Sequence, residues 1–217
     1  MPDAASSRPL VVLDCDSTTI RDEVIELLAD AAGSREKVAA VTERAMRGEL
    51  DFAESLAERV ATLAGTQESV FADTYRRVRR SAGIEALIAE VHARGGVVGV
   101  VSGGFHEVLD PLAEDLGLDH WRANRLEVRD GRLTGRTVGP VIDATAKADA
   151  LSEWADAAGI PLQATVAIGD GANDLEMMAI AGLSVAYNAK PVVRERADVS
   201  IEDDLALVIP LLDRLTA

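Results

Sequence analysis

The chain has a single cysteine, Cys15, in 217 residues. One thiol excludes an internal disulfide framework and any four-cysteine zinc site. Positive charge is scarce as well: 22 lysines and arginines stand against 37 aspartates and glutamates, a net charge of −15. That balance argues against a nucleic-acid backbone as the main partner, and it means that an anionic substrate needs a local positive site. No apolar stretch approaches the roughly 18 residues of a membrane span. The opening "MPDAASSRPL" has neither the basic nor the apolar region of a secretory signal. Repeats and low-complexity linkers are missing, and His92, His106 and His120 show no metal-ligand spacing with one another, so they read as structural or surface residues. The expectation is a soluble cytoplasmic protein that binds neither nucleic acid nor membrane. Its length suits one substantial domain or a domain carrying an insertion.

What is present is an alternation of short apolar runs and helical patterns. "PLVVLD" (9–14), "GVVGVVSGG" (96–104), "ATVAIGDG" (164–171) and "LSVAYN" (183–188) are valine-rich runs bounded by glycine or polar residues, and they read as parallel strands. "IEALIAEVHARGG" (84–96) and "AKADALSEWADAAGI" (146–160) carry apolar residues at helical spacing and end near glycine. This alternation predicts an α/β fold, a doubly wound and mostly parallel sheet covered by helices. From Arg21 to Arg80 the pattern is helix after helix with no strand between, which predicts an inserted all-helical cap. The expected division is therefore a catalytic core of residues 1–20 and 81–217 and a cap of residues 21–80. "RLEVRDGRLTGRTVG" (125–139) is a hairpin signal with Asp130 and Gly131 at the turn.

Three of the strand runs end on polar residues. "LVVLDCDSTTI" (10–20) closes with Asp14, Cys15 and Asp16; the second run closes with Ser102, Gly103 and Gly104; the third with Gly169, Asp170, Gly171, Asn173 and Asp174. Ligands of open parallel sheets bind outside the carboxyl ends of the strands, so these clusters are expected to converge. Convergence puts at least three carboxylates in one crevice with few counter-charges, and such a set is costly to keep ionised unless something cationic compensates it. A hard divalent cation with oxygen ligands is the natural solution, and Mg²⁺ suits carboxylates, waters and a phosphate. "VSGG" offers a hydroxyl and backbone N–H groups before a helix starting near Phe105, which suits phosphate oxygens. Lys147, at the start of the helix after the hairpin, could reach the same oxygens as a fixed charge.

In that order, "DCDST", "SGG", a following lysine and "GDGAND" resemble the signature motifs of the haloacid dehalogenase-like phosphatases. Within that superfamily, Glu23 after the first motif, "AMRGELDFAESLAERV", "VVSGGF", "ANRLEVRDGRLTG" and "VAIGDGANDLEMM" resemble the phosphoserine phosphatase family over nearly the whole chain. Cys15 departs from the bulky apolar residue more usual between the two aspartates. Some members carry a regulatory domain before the catalytic one, which is expected to be absent here because Asp14 lies so near the start.

The resemblance implies a magnesium-dependent phosphomonoester hydrolase acting on a small-molecule phosphate monoester, O-phospho-L-serine, in the final step of serine biosynthesis. It makes Asp14 the nucleophile of an aspartyl-phosphate intermediate and Asp16 the general acid and base. It gives Mg²⁺ to Asp14, the main-chain carbonyl of Asp16 and Asp170, with Asn173 and Asp174 in support. It assigns Ser102, Gly103, Gly104 and Lys147 to the phosphate, with Asn173 also beside the substrate. In the cap it assigns Glu23 to the substrate ammonium, Arg59 to its carboxylate, and Met46 and Phe52 to the wall.

Each residue also has an ordinary reading: a solvated carboxylate, a Ser-Gly-Gly turn, an exposed helix lysine, an amphipathic cap helix. It is the ordered set that favours chemistry. Three other functions are compatible with parts of the pattern. The C-x5-R spacing of Cys15 and Arg21 is that of thiol-dependent phosphatases, but Asp14 and Asp16 flank the thiol and should raise its pKa. A phosphometabolite-binding module without turnover would keep the fold. The same chemistry could also serve another phosphate monoester, or transfer phosphate to an alcohol such as homoserine.

Overall fold

The computed structural model describes residues 8–215, of which the side chain of Met46 is not included. The apolar runs become strands β1 (Leu10–Leu13), β2 (Val97–Phe105), β3 (His120–Arg129), β4 (Arg132–Val138), β5 (Thr165–Gly169), β6 (Leu183–Tyr187) and β7 (Val199–Ile201). They form one sheet in the order β4-β3-β2-β1-β5-β6-β7. Every pairing is parallel except β3 with β4. β1 is central, with Leu10 in register with Val97 on one side and Thr165 on the other.

Period-2 alternation splits the β1 side chains between two cores. Val11 and Leu13 join one apolar cluster with α5 (Ile84–Ala93) and α6 (His106–Leu116), while Leu10 and Val12 join another with α7 (Ala144–Ala158) and α8 (Leu175–Ile180). Helices on both faces explain why the central strands read as continuous apolar runs.

Residues 21–80 hold four helices and, among the described residues, no strand: α1 (Val24–Ala32), α2 (Arg35–Met46), α3 (Phe52–Ala61) and α4 (Val70–Tyr75). Most of their buried apolar residues, among them Leu28, Leu56 and Val70, belong to the same apolar cluster as Val11 and Leu13. The chain leaves and re-enters this segment along two adjacent stretches. Arg21 N–H donates to the Arg79 carbonyl at 2.8 Å and Ser81 N–H to the Thr19 carbonyl at 3.0 Å. Asp22, 9% exposed, clamps the crossing by accepting from the Arg79 guanidinium at 2.6 Å and from the Arg79 N–H at 2.8 Å.

Two elements differ from the sequence expectation. β3 begins at His120, five residues before the hairpin string, because its first half pairs with β2, Gly99 opposite His120. The half-buried "HWR" carries no apolar signal for that pairing. β7 is three residues long and only partly buried, so it has too little pattern to be seen in sequence. The hairpin turn is as the sequence predicts: Asp130 and Gly131 both have positive φ, 51° and 72°, which a two-residue turn between twisted strands requires. Residues 1–7 and 216–217 of the expected core lie outside the described residues.

Candidate active site

The chain leaves β1 at Leu13 and enters a single wide turn over Cys15–Thr19, in which Ile20 N–H donates to the Cys15 carbonyl at 3.0 Å. Asp14 and Asp16 are therefore not strand residues sharing a face. Both keep extended backbone, and the reversal falls on Ser17, held at φ 57°. The turn nonetheless brings both carboxylates to the carboxyl end of the sheet. There they meet Ser102, Gly103 and Gly104 at the end of β2, and Asp170 and Asn173 after β5, on the wall of one cavity of ≈ 120 Å³. Glu23, at the start of α1, and Phe52 and Arg59 of α3 line the opposite side. Met46 ends α2, and its side chain lies outside the described residues.

The glycine loop is shaped by close approach. A Cβ on Gly103 would lie 3.0 Å from Phe52 Cζ, and one on Gly104 would lie 3.0 Å from Ser102 Oγ and 3.2 Å from Asp16 Oδ2. Ser102, 1% exposed, accepts from Gly104 N–H at 2.8 Å, and the loop runs directly into α6.

Lys147 is not on the cavity wall. It lies in the first turn of α7, fully buried, and its Nζ donates to Asp14 Oδ1 at 2.5 Å and to Asp174 Oδ1 at 2.7 Å. A buried ammonium is tolerable only when paired, and these two carboxylates hold Lys147 above its ordinary value against the opposing effect of burial. Asp174, also fully buried, accepts from Gly171 N–H at 3.0 Å, so it braces the loop that carries Asp170.

Carboxylate oxygens of Asp14, Asp170 and Asp174 come within 4.8 Å of one another. Burial raises Asp14 to about 7, with Lys147 pulling it down and Asp174 and Asp170 pushing it up. Burial, then Asp174, raises Asp170 to about 6. Carboxylates so crowded are short of positive charge even with Lys147 between two of them. The all-oxygen donor set fits a hard divalent cation, and the residues expected to hold one are brought together. Asp16 contributes no carboxylate to that cluster. Its own carboxyl is pushed well above the ordinary range, by burial first and then by Glu23 and Asp14. Its Oδ1 is buried without a hydrogen-bond partner.

Arg59 is pushed below its ordinary value by burial, against the pull of Glu23 and Asp16. Glu23 accepts from Ser17 Oγ at 2.7 Å, which ties the residue before α1 to the turn after β1. Cys15 is 2% exposed, and its thiol is pushed well up by burial and then by Asp16 and Asp14. Arg21 does not line the cavity. The thiol-phosphatase reading is thereby removed. The histidines serve structure: His106 bridges Asp110 at 2.6 Å and the Ala123 N–H at 3.1 Å, His92 meets Asp119 at 2.9 Å, and His120 stacks on Trp154.

Among the charged wall residues, one was not foreseen. Lys190 follows β6, a fourth strand end whose "YNAK" carries no carboxylate or glycine cluster to flag it.

A mostly parallel sheet with an acidic crevice at its carboxyl end, lined also by residues of a helical segment, defines a class, and the sequence agrees with it. The chain belongs to the haloacid dehalogenase-like hydrolase family, whose profile matches residues 11–179. Among curated proteins it is 49% identical to the phosphoserine phosphatase of Streptococcus thermophilus over 207 residues, 95% of this chain and 96% of that one. It is 55% identical to the phosphoserine phosphatase of Streptomyces coelicolor over 204 residues, 94% of this chain but 48% of that protein, so it spans about half the length of that relative. Among solved structures, a substrate-bound phosphoserine phosphatase superposes with a TM-score of 0.89 at 41% identity, covering 94% of this chain and 98% of the other. A phospho-aspartyl intermediate analogue of phosphoserine phosphatase gives 0.88 at 41% identity, covering 94% and 99%.

Proposed function

We propose that this chain is a magnesium-dependent phosphoserine phosphatase, hydrolysing O-phospho-L-serine to L-serine and phosphate in the cytoplasm, with residues 21–80 acting as a cap on a catalytic core of residues 1–20 and 81–217. The observation that carries this reading is the meeting of two sets on one cavity: Asp14, Asp16, Ser102 and Asp170 from the sheet, and Glu23 and Arg59 from the helical segment.

Asp14 attacks phosphorus, forming an aspartyl-phosphate and splitting one displacement into two. Lys147 holds the Asp14 carboxylate in place and favours its charged form against burial. Asp16 donates a proton to the departing serine oxygen and then accepts one from water. A carboxyl raised by burial and neighbouring charge is suited to the first of these roles. Ser102 and the N–H groups of Gly103 and Gly104 take the non-bridging oxygens. Mg²⁺ would be held by Asp14, the Asp16 carbonyl and Asp170, with Asn173 and Asp174 in support; bound there, it lets an anionic nucleophile approach an anionic phosphoryl group. Arg59 offers a planar fork to the substrate carboxylate and Glu23 a counter-charge to its ammonium, against Phe52.

The test is phosphate release from O-phospho-L-serine by the purified protein, with magnesium and with a chelator. Release that needs the metal, together with a phosphoprotein trapped on acid quench, is the expected result. Turnover of aryl phosphates but not of phosphoserine would overturn the substrate, and turnover undiminished by chelation would overturn the metal.

A further inference from the structure

The cavity wall is poor in positive charge. Four of its residues are acids, Asp14, Asp16, Glu23 and Asp170, and the cations on it are Arg59 on the helical side and Lys190 on the sheet side. Lys147 is buried and committed to Asp14 and Asp174. The chain as a whole carries −15. A phosphomonoester dianion entering this mouth passes more acids than cations.

Lys190 is placed to offset it. Its backbone is pinned: its N–H donates to the Asp170 carbonyl at 3.0 Å, and its own carbonyl accepts from Val193 at 2.9 Å and Arg194 at 3.1 Å at the start of the short helix Pro191–Arg194. The side chain is exposed on the rim and makes no ion pair among the described residues, although its charge is felt at Asp170. It also lines the adjoining open cleft with Arg21 and Asn188, so it stands where solvent meets the site. An unpaired, strongly hydrated point charge on a fixed base suits capture of a phosphate from solution.

We propose that Lys190 is an anion-capture residue that draws the phosphate dianion into the cavity and reads the phosphate rather than the remainder of the substrate. This rests on the reading of the site as a phosphomonoesterase. It separates Lys190 from Arg59 and Glu23, which read the amino-acid end.

Lys190→Gln and Lys190→Arg are compared with the unmodified enzyme, all magnesium-loaded. The readouts are kcat/KM on phosphoserine and on p-nitrophenyl phosphate across ionic strength, affinity for inorganic phosphate by calorimetry, and half-saturation by magnesium. Lys190→Gln should lower kcat/KM on both esters by a common factor, about tenfold at low ionic strength, chiefly through KM. The deficit should shrink as salt screens the charge. Inorganic phosphate should bind more weakly, magnesium no more weakly, and Lys190→Arg should recover most of the loss. Parallel salt profiles for the two enzymes, or a loss confined to phosphoserine, would overturn the proposal. So would weakened magnesium binding with unchanged phosphate affinity, which would make Lys190 a support for Asp170. If phosphoserine proves not to be a substrate while Lys190→Gln still weakens phosphate and the aryl ester, the substrate reading fails and the role of Lys190 stands. If phosphoserine is hydrolysed while Lys190→Gln leaves phosphate affinity and both esters unchanged, the role of Lys190 fails and the substrate reading stands.

Discussion

Asp14 combines two demands that a surface carboxylate never meets together. As the proposed nucleophile it must be buried enough to exclude water and still ionise to attack, and Lys147 at 2.5 Å favours the ionised form against burial. Replacing Asp14 by Asn removes the nucleophile at nearly constant shape and leaves Lys147 its second partner, Asp174. The variant should stay folded by circular dichroism and form no trapped phosphoprotein; appreciable turnover would refute the nucleophile assignment. Asp16→Asn should slow the proton transfers by about a hundred- to ten-thousand-fold. Cys15→Ser should remain active. For Arg59→Ala and Glu23→Gln, kcat/KM on phosphoserine should fall at least about tenfold, roughly 1.4 kcal/mol of transition-state stabilisation. An aryl phosphate, which offers neither charge, should be affected much less. Equal losses on both substrates would show that these two residues only support the fold.

At the scale of elements, α3 carries both Phe52 and Arg59, so under the proposed function it is the helix that sets selectivity. Its start is held by a reciprocal cap: Asp51 Oδ1 accepts from Glu54 N–H at 2.8 Å, and Glu54 Oε2 accepts from Asp51 N–H at 3.0 Å. Asp51→Ala removes the acceptor of the Glu54 N–H while the main-chain N–H of residue 51 keeps its bond to Glu54, and should cost about 1 kcal/mol in denaturant unfolding. Phe52 follows the cap directly and rests over Gly103, so fraying there should raise KM for phosphoserine more than for an aryl phosphate. An unchanged unfolding midpoint would show that tertiary packing alone holds the helix start.

At the scale of the molecule, strand ends from distant parts of the chain gather carboxylates that repel one another. In the metal-free protein Asp14 titrates at about 7 and Asp170 at about 6, against about 3.9 in an unfolded chain. Between those values the folded state holds protons that the unfolded state has released. Stability of the metal-free protein should therefore fall as pH rises from about 4 to 7 and stay low above it. A divalent cation should restore it, by about 2.7 kcal/mol at a hundredfold excess over Kd, with a rise of about 2–4 °C in Tm for each kcal/mol in a domain of this size. The gain should be larger at pH 7.5 than at pH 5, by scanning calorimetry. A metal-induced shift independent of pH would show that the ion binds away from Asp14 and Asp170.

Much of this was legible in the residues alone, because strand runs, glycine stops and polar strand ends are local patterns. "LVVLD", "VVSGG" and "AIGDG" announced both the parallel sheet and the three clusters, and the four helices of residues 21–80 showed in their spacing. What remained hidden depended on contacts between distant segments. Nothing near Lys147 in sequence shows that it sits at zero exposure between Asp14 and Asp174, since both partners come from other strand ends. The first half of β3 exists only because β2 offers it an edge, and β7 is too short and too exposed to leave a pattern. Lys190 lines the cavity because its N–H is tied to the Asp170 carbonyl at the neighbouring strand end, a contact that nothing in "YNAK" announces. Residue types determined which chemistry was possible; the packing of the sheet decided which charges are spent on one another and which are left for a ligand.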